Sequence, residues 1–284
     1  MPAATCHIQH RLLDTLPGIE LVQAKYQGFR FDKHVHDDVH IGVVDMGVQR
    51  FMHKGQGYLL APQRLSIINP DEVHDGHGAN DDDYQVQLLR IPSATLNAFA
   101  QTMGRKPQET FLQGPEVNDP QLYQQLLSLH YSLQGQTSAL ALDTQLIAVL
   151  STLVSRYAEQ TNVAALTKLN KGTLAQLKDY LLADIGHSHR LADLSKLFDL
   201  SEHQFLRQFR REFGITPHAY LLALRVDVAR QLIKTDLPLA EVASAAGFYD
   251  QSHLTHAFKR RYSLTPAEYQ RQIRQRQFFT IPLC

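Results

Sequence analysis

Four histidines in the amino-terminal third of the chain have the spacing of a metal site or a ligand pocket. His34, His36 and His40 are separated by two and four residues, so on one extended strand their side chains would point to the same face. His74 follows the turn sequence Asn-Pro-Asp-Glu-Val and is predicted on a neighbouring strand. Four converging imidazoles can ligate zinc, nickel, copper or iron, and they can equally form hydrogen bonds with a small organic ligand.

Polar residues near the carboxyl terminus have the chemistry of a DNA interface. Residues 191–220 and 239–269 align as two copies of one motif, with an offset of 48 residues before a turn and 49 after it. In the first copy, Phe205 and Phe209 lie four residues apart and are predicted to face a helical core. Gln, His and Arg side chains suit base edges, and Lys and further Arg side chains suit phosphates. The positions predicted to face outward are Glu202, His203, Leu206, Arg207 and Arg210 in the first copy and Gln251, Thr255, His256 and Lys259 in the second.

The turn in each copy has a residue that suits a left-handed backbone. Gly247 adopts this conformation without steric cost, and Asp199 is of one of the few other residue types that tolerate it. The helices after the turns are predicted to begin at Ser201 and Asp250, which are both good capping residues. Each copy is therefore predicted to be a helix-turn-helix unit.

Basic clusters follow the outward positions of both copies. Arg210-Arg211 and Lys259-Arg260-Arg261 are interpreted as contacts to the DNA backbone, and the alternative is an exposed basic face without a ligand. The chain is formally neutral, but residues 168–284 carry 17 Lys and Arg against 11 Asp and Glu. This asymmetry favours a polyanion site on the carboxyl-terminal part alone.

The histidines lie in a region with the pattern of short strands. Six apolar segments between Ile19 and Ile91 are separated by Gly, Pro, Asn and Asp, which predicts a small barrel or sandwich. From Ser93 onward the hydrophobic period lengthens to that of amphipathic helices. The segment from Ser138 to Gln160 has an apolar stripe that is predicted to cover the barrel, to pack on its copy in a dimer, or both. The stripe consists of Leu142, Leu146, Val149, Leu150, Leu153 and Val154.

Composition and length limit the class of protein. A chain of 284 residues with 44% hydrophobic and 20% charged residues is long enough for two globular domains. No apolar run reaches the roughly 18 residues that a membrane helix needs, and no secretory signal is evident at the amino terminus, so a cytoplasmic location is expected. The two cysteines, Cys6 and Cys284, have neither metal-site spacing nor a disulfide pattern.

The carboxyl-terminal repeat resembles a known family. Residues from about Thr173 to Gln275 are similar to the DNA-binding domain of the AraC/XylS transcription regulators, and the second copy follows that family's signature almost position by position. The resemblance implies seven helices, with a long helix from about Pro217 to Leu232 that joins two helix-turn-helix units. It also implies recognition helices about one DNA turn (~34 Å) apart in successive major grooves, a homodimer, and contact with RNA polymerase.

The resemblance also implies which residues read bases. These positions are His203, Gln204 and Arg207 in the first unit and Gln251, Ser252 and His256 in the second. Two departures from the family concern the first unit. Asp199 replaces the usual Gly in its turn, and Leu206 is apolar where the family often has a polar residue, so this unit is expected to read thymine methyl groups or to make fewer contacts.

The histidine region resembles the cupin barrel. The pattern His-Val-His-x3-His-x6-Gly, which ends at Gly47, and the later Pro-Asp-Glu-Val-His are similar to the cupin motifs, in which two His, a Glu and a further His ligate a metal. His40 stands where the cupin Glu would be. The similarity covers about Phe31 to Pro92 and implies an effector-sensing barrel with a pocket lined by His34, His36, His40 and His74. Two outcomes remain open: the four histidines ligate a divalent transition metal, or the pocket keeps the histidines without one.

The sequence thus predicts an α+β protein with two domains. Residues 1–162 are predicted to form a cupin-like effector-binding and dimerisation domain with flanking helices, and residues 172–276 an all-α double helix-turn-helix domain. Between them, Thr161 to Gly172 is the predicted linker. The favoured function is a non-enzymatic transcription regulator that binds double-stranded DNA and senses a small molecule. The alternatives are a metal-dependent cupin enzyme fused to a DNA-binding tail, and a dimerisation module without a ligand.

Overall fold

The amino-terminal part of the chain forms two antiparallel sheets. The computed structural model describes residues 5–13, 16–105, 110–132, 139–158, 171–187 and 189–274. One sheet has the order β1-β2-β9-β4-β7-β10 and the other β3-β8-β5-β6. The strands are β1 Thr5–Leu12, β2 Glu20–Gln27, β3 Arg30–His34, β4 Asp38–Met46, β5 Gln49–His53, β6 Gln56–Leu60, β7 Leu65–Ile68, β8 His74–Gly78, β9 Tyr84–Pro92 and β10 Glu116–Val117.

Strand alternation gives the six-stranded sheet two different faces. On β4, Val39, Ile41 and Val43 are fully buried in the core that the helices share. His40 and Gly42, which alternate with them, face the space between the two sheets, because successive side chains on a strand point to opposite faces. The same alternation on β9 turns Val86, Leu88 and Arg90 into that space. The pattern therefore determines which side chains reach the interior of the domain.

The sheets differ from the barrel that the sequence predicts in two respects. The strands form two separate ladders, so the barrel is not closed. The prediction that His34, His36 and His40 share one strand face is wrong, because β3 ends at His34 and β4 begins at Asp38. Between those strands the chain crosses from one sheet to the other, so His34 and His40 reach the interior from opposite sides. His74 does lie on a neighbouring strand, since its Cα pairs with that of His34.

Three helices cover the outer face of the six-stranded sheet. They are α1 Ser93–Thr102, α2 Pro120–Ser132 and α3 Ala139–Tyr157. The predicted apolar stripe on α3 packs into the core of this domain, where Leu146, Val149 and Leu150 have no exposed surface, while Leu142 is partly buried. The stripe is thus buried in the core of a single chain, so a dimer would have to form through a different surface.

Seven helices within the described residues form the carboxyl-terminal domain, as the resemblance implies. They are α4 Lys171–Ala183, α5 Leu191–Lys196, α6 Glu202–Phe213, α7 Pro217–Ile233, α8 Leu239–Ala245, α9 Gln251–Tyr262 and α10 Pro266–Arg274. The pairs α5–α6 and α8–α9 are the two helix-turn-helix units, and the long helix α7 joins them. Each unit has its own apolar core.

Local sequence signals explain the helix boundaries in both units. The turns contain left-handed residues, with φ of 52° at Asp199 and 80° at Gly247. Ser201 caps α6 in a capping box with Gln204, and Asp250 caps α9 by accepting a hydrogen bond from the backbone N–H of His253. Most of the predicted linker lies outside the described residues, and the domain bounds stay predictions. Within the described part of the chain, no helix combines the length and the apolar character that crossing a bilayer requires.

Candidate functional site

A cavity of about 110 Å³, partly open to the surface, lies between the two sheets, and the helical domain forms part of its wall. Three of the four predicted histidines line it, and His36 lies just behind His40. The wall also includes polar residues that the sequence did not assign to this pocket, and two of them, Arg261 and Tyr262, come from the end of α9. The histidines and arginines in the wall are His10, His34, His40, His74, Arg90 and Arg261.

His36, His40 and His74 form a compact group. Each ring contributes one nitrogen, and these three nitrogens lie within 4.8 Å of one another. His36 and His40 stack with their ring centroids 3.4 Å apart, and His74 approaches His36 at 4.8 Å. His34 contacts His74 at a ring distance of 4.2 Å, but it does not belong to the group. The fold therefore brings together three of the four histidines in a geometry that can hold a metal ion.

Backbone carbonyls orient two of these rings. Nδ1 of His36 donates to the carbonyl oxygen of Asp38 at 2.6 Å, and Nδ1 of His74 donates to that of Glu72 at 2.9 Å. Because a carbonyl oxygen only accepts, the lone pair of each ring lies on Nε2. The Nε2 atom of His36 is buried and has no hydrogen-bond partner. This arrangement, with Nδ1 fixed by a carbonyl and Nε2 directed inward, is the one found around metal-bound histidines.

Burial keeps the histidines of the group neutral. It lowers the pKa of His36 and of His40 well below the ordinary value, and the neighbouring histidine and arginine charges act in the same direction. Burial also lowers the pKa of His74 to about 4. At neutral pH the three rings can thus donate lone pairs without first losing a proton.

The helical domain forms one wall of the cavity through the last turn of α9. Arg261 and Tyr262 line the cavity there, and the guanidinium of Arg90 lies over the Tyr262 ring, 4.8 Å from its centroid. The Tyr262 hydroxyl donates to Asp227 Oδ1 at 2.8 Å. A ligand in the cavity is therefore within reach of both domains.

A buried ion cluster joins the domains beside this wall. Arg230 on α7 donates to Glu20 Oε2 at 2.9 Å and to Asp38, and the three side chains are almost completely buried. His10 forms a hydrogen bond of 2.5 Å with the other oxygen of Glu20. Removing Arg230 would leave Asp38 buried without a cation, which is strongly unfavourable. The cluster therefore holds α7 against β2 and β4.

Further contacts between the domains are made by residues of α4, α7 and α9. Lys178 forms an ion pair with Asp37, and Tyr220 donates to Asp71 Oδ1 at 3.0 Å. Arg260, at the end of α9, forms an ion pair with Asp32 on β3. Arg260 and Arg261 are predicted from the sequence to contact the DNA backbone, but in this structure both turn toward the β-sheets.

Helices α6 and α9 keep most of the predicted DNA-contact residues on the surface. The exposed members of the set are Gln204, Arg207, Arg210, Gln251, Ser252, His256 and Lys259. Thr255 is half-buried and its hydroxyl donates to the carbonyl of Gln251 at 2.8 Å. Gln204 Oε1 already accepts from the backbone N–H of Ser201 at 3.0 Å as part of the cap. The side chain of His203 lies outside the described residues.

The residues that sequence reasoning missed are those of the junction. Arg90, Glu20 and Arg230 stand in segments that read as an ordinary strand or helix, and their partners are far away along the chain. Arg230 and Glu20 are separated by 210 residues. The available signal was a single charged residue in an otherwise uncharged strand, such as Arg90 in β9.

Two family models match the chain. The AraC-like ligand-binding domain matches residues 16–150, and a helix-turn-helix domain matches residues 194–272. The uncharacterized HTH-type transcriptional regulator YbfI of Bacillus subtilis (strain 168) is 25% identical over 253 residues, which cover 86% of this chain and 89% of the relative. The HTH-type transcriptional activator RhaS of Enterobacter sp. (strain 638) is 25% identical over 243 residues, 84% of this chain and 87% of the relative.

A solved structure has the same overall architecture. ToxT from Vibrio cholerae O395 superposes with a TM-score of 0.52 at 13% identity, over 96% of this chain and 99% of that one. At this identity the likeness concerns the fold alone. The order of a β-rich domain followed by a double helix-turn-helix domain is thus shared over nearly the full length of both chains.

Proposed function

Because the chain belongs to the AraC family of transcription regulators, we propose that a small molecule bound in the cavity between its two sheets changes how its two helix-turn-helix units bind promoter DNA. The observation that carries the proposal is the position of α9, whose amino-terminal part exposes polar residues while its last turn lines the cavity. A ligand in the cavity and DNA on the helix face would act on the same element. Their affinities are coupled where ligand and DNA favour different positions of α9.

The residues proposed to contact DNA are the polar positions of α6 and α9. Arg207 and His256 are proposed to read base edges, and Arg210 and Lys259 to bind phosphates. Gln204 is the weakest member of the set, because its side-chain oxygen is engaged in the helix cap. The remaining proposed contacts are His203, Gln251, Ser252 and Thr255.

Replacement of Arg207 and of His256 by alanine tests this assignment. Each substitution removes a side chain proposed to contact a base edge, so we expect sequence-specific affinity to fall about tenfold or more. The measurement is fluorescence anisotropy with a duplex that the unaltered protein selects from a random pool. Arg50→Ala, which removes an exposed arginine of the β-sheets, is the matched control and should bind as before. If both substitutions leave the specific affinity unchanged, the assignment is wrong.

The proposed regulator acts as a homodimer in the cytoplasm and contacts RNA polymerase at the promoter. Family membership supports these points, and the homodimer agrees with the common binding of dimeric helix-turn-helix proteins to paired half-sites. The α3 stripe is buried within one chain, so the dimer contact is expected on other surfaces. Light scattering of the purified protein in the presence and absence of its selected duplex measures the assembly directly.

The proposed effector site is the cavity with His34, His40 and His74 in its wall and His36 behind it. We further propose that His36, His40 and His74 hold a divalent transition metal. The residues fit such an ion, because the buried Nε2 of His36 lacks a hydrogen-bond partner and all three rings are neutral. Three protein ligands would leave a coordination position for the effector.

Metal analysis of the purified protein tests this site. We expect about one zinc, nickel, copper or iron ion per chain after dialysis against the mixed ions, and a loss of that ion in His36→Ala and His74→Ala. His77→Ala is the control, since His77 lies on the same strand as His74 but outside the group. Equal metal content in all four proteins would rule out the proposed ligands.

The two alternative functions have less support. The curated relatives are named as transcription regulators, which favours regulation over a cupin enzyme. The cavity favours a ligand-binding domain over a dimerisation module without a ligand. A thermal-shift screen of metabolites separates these last two, because a ligand at 100 times its dissociation constant adds about 2.7 kcal/mol to the stability.

A further inference from the structure

The turn of the second helix-turn-helix unit contains one residue that the first unit lacks. Residues 191–200 align with residues 239–248 at an offset of 48. The capping residues that follow, Ser201 of α6 and Asp250 of α9, align at an offset of 49. The residue without a counterpart is Tyr249. The insertion therefore places an aromatic side chain directly before the cap of α9.

Tyr249 is exposed although it adjoins the core of its unit. It is 92% exposed, the highest value among the large hydrophobic residues on the surface of the described part of the chain. The structure gives it no hydrogen bond or ring contact with another described residue. Because the side chain buries so little area, it contributes little to the stability of the fold.

In the first unit the residue before the cap belongs to the core instead. Leu200 packs against the cluster that contains Phe205, the fourth residue of α6. An apolar residue before the cap commonly packs on the fourth residue of the helix in this way. In α9 that fourth residue is the fully buried Leu254, but Tyr249 is left in solvent. Phe248, one residue earlier, fills the core position of the second unit.

Contacts on both sides fix the position of Tyr249. Phe248 is buried, and its backbone N–H donates to the carbonyl oxygen of Ala243 at 2.9 Å. Its ring also meets that of His253 edge to face at 5.2 Å. On the other side, Asp250 Oδ1 accepts from the backbone N–H of His253 at 2.7 Å. The backbone at Tyr249 is thus held between two anchored residues, which lowers the entropy that a contact of its side chain would cost.

The position before the cap lies close to DNA when a recognition helix is docked. Such a helix enters the major groove with its amino-terminal residues at the base edges. Gln251 and Ser252, the first residues of α9, are exposed and are proposed to occupy that place. Tyr249 precedes them by two and three residues. Its side chain would therefore lie at the edge of the groove, where the sugar-phosphate backbone runs.

A tyrosine suits that backbone chemically. Its hydroxyl can donate a hydrogen bond to a phosphate oxygen, and its ring offers an apolar surface to the deoxyribose. The side chain carries no charge, so its contact displaces no counterion from the duplex, in contrast to a contact from Lys or Arg. A tyrosine contact can therefore be distinguished from a lysine contact by its dependence on salt.

We propose that Tyr249 contacts the sugar-phosphate backbone at the edge of the groove that α9 enters, with its hydroxyl on a phosphate oxygen and its ring on the adjoining deoxyribose. The inference rests on the proposed DNA contacts of α9 and adds one residue to them. Because the first unit has no equivalent residue, the contact positions the second unit on the duplex without reading a base.

Fluorescence anisotropy with the full-length protein at several salt concentrations tests this contact. The duplex is the one that the unaltered protein selects. We expect Tyr249→Phe to weaken binding about fivefold and Tyr249→Ala about tenfold or more, with no change in the slope of log affinity against log salt. Lys259→Gln removes a proposed contact that is charged, so it should reduce the steepness of that slope by about one.

Tyr180→Phe is the matched control. Tyr180 is an exposed tyrosine on α4, in the same domain but outside both helix-turn-helix units. Loss of its hydroxyl should leave the DNA affinity unchanged. Because Tyr249 is almost completely exposed, its variants should unfold at the same temperature as the unaltered protein.

Replacement of single phosphates by neutral methylphosphonates locates the contact on the duplex. At the phosphate that accepts from Tyr249, the replacement should weaken binding of the unaltered protein more than binding of Tyr249→Phe, which has already lost the hydrogen bond. At the other phosphates the two proteins should respond alike. Equal responses at every phosphate would contradict the proposed hydrogen bond.

The outcomes separate this inference from the proposed function. Equal DNA affinity of the unaltered protein and both Tyr249 variants overturns the inference. It is also overturned if the variants bind DNA normally but regulate a promoter less well, because Tyr249 then contacts a protein partner. Since a backbone contact does not depend on sequence, the comparison can be repeated with a random duplex at low salt. A protein that selects no specific duplex would count against the proposed function, whereas weaker random-duplex binding by Tyr249→Phe would still support this inference.

Discussion

Asp227 brings a titratable carboxyl group into the buried junction between the domains. It accepts a hydrogen bond from Tyr262 and lies beside Arg230, yet burial outweighs both and raises its pKa from 3.8 to about 7. When a group has a higher pKa in the folded than in the unfolded chain, its contribution to stability is fully present at pH values below its pKa in the unfolded chain. That stabilisation is lost as the pH rises through the folded pKa. The relevant window for Asp227 is therefore pH 4 to 7.

Asp227→Asn should remove this pH dependence. The amide keeps an acceptor for Tyr262 and carries no charge, so the free energy of unfolding of the unaltered protein should fall relative to the variant between pH 4 and 7, by up to about 4 kcal/mol. Urea unfolding at several pH values measures the difference. Asp179→Asn, on the exposed side of α4, is the control and should follow the unaltered protein. If the free energy of unfolding depends on pH in the same way in Asp227→Asn and in the unaltered protein, the pKa of Asp227 is not raised by folding.

Single residues were the hardest feature to predict from the sequence. The spacing of His34, His36 and His40 indicated a shared strand face, but the chain changes sheets within that run. The short strands β3 and β8 have the sequences Arg-Phe-Asp-Lys-His and His-Asp-Gly-His-Gly, which carry almost no apolar alternation. The spacing of apolar residues indicates which face of a strand is buried. A strand that is polar on both faces therefore cannot be recognised from this spacing.

At the level of the elements, the two helix-turn-helix units follow from their local sequence. Capping residues, a left-handed turn residue and apolar spacing all lie within about ten residues of one another and do not depend on distant contacts. The predicted caps at Ser201 and Asp250 are present, and so are the positive φ angles at Asp199 and Gly247. The departure at Asp199 therefore leaves the turn geometry intact.

Substitution of the left-handed residue should have different effects on stability in the two turns. Gly247→Ala adds a Cβ 2.3 Å from the carbonyl oxygen of Ile185 and 2.8 Å from Nε of Arg225, in addition to the left-handed strain. We expect it to destabilise the domain by more than about 1 kcal/mol. Asp199→Gly removes that strain and should be neutral or stabilising by up to about 1 kcal/mol.

Urea unfolding of both variants measures this difference. A loss of stability in Asp199→Gly as large as that in Gly247→Ala would indicate that the Asp199 side chain itself supports the turn, and that the backbone conformation is not the dominant factor.

For the whole molecule, the arrangement of the domains depends on charged groups that lie far apart in sequence. Arg230 meets Glu20 and Asp38 across separations of 210 and 192 residues. The two-domain architecture could be predicted from composition and repeats, because each domain has its own periodic pattern. The junction could not, because surface and junction charges look alike in a sequence.

Arg230→Gln should loosen the junction. It leaves Asp38 buried without its cation and leaves Glu20 with only the longer contact to Arg90, which costs about 3–5 kcal/mol. We expect a lower unfolding temperature and a larger radius of gyration in small-angle scattering, because the domains separate before the core of either one unfolds. Combining Arg230→Gln with Glu20→Gln and Asp38→Asn removes the unpaired charges and should recover much of the loss. A variant as compact and stable as the unaltered protein would mean that the ion cluster does not hold the domains together.

The last turn of α9 closes a cavity that the β-sheets alone leave open on that side. If the cavity is the effector site, as proposed, both domains determine which ligand it binds, and the sensing part of the chain extends into the DNA-binding domain. A chimera that keeps residues 1–162 but takes its DNA-binding domain from a relative would exchange part of the pocket wall as well. A chimera meant to keep the ligand preference while binding a new operator would therefore also have to keep Arg261 and Tyr262.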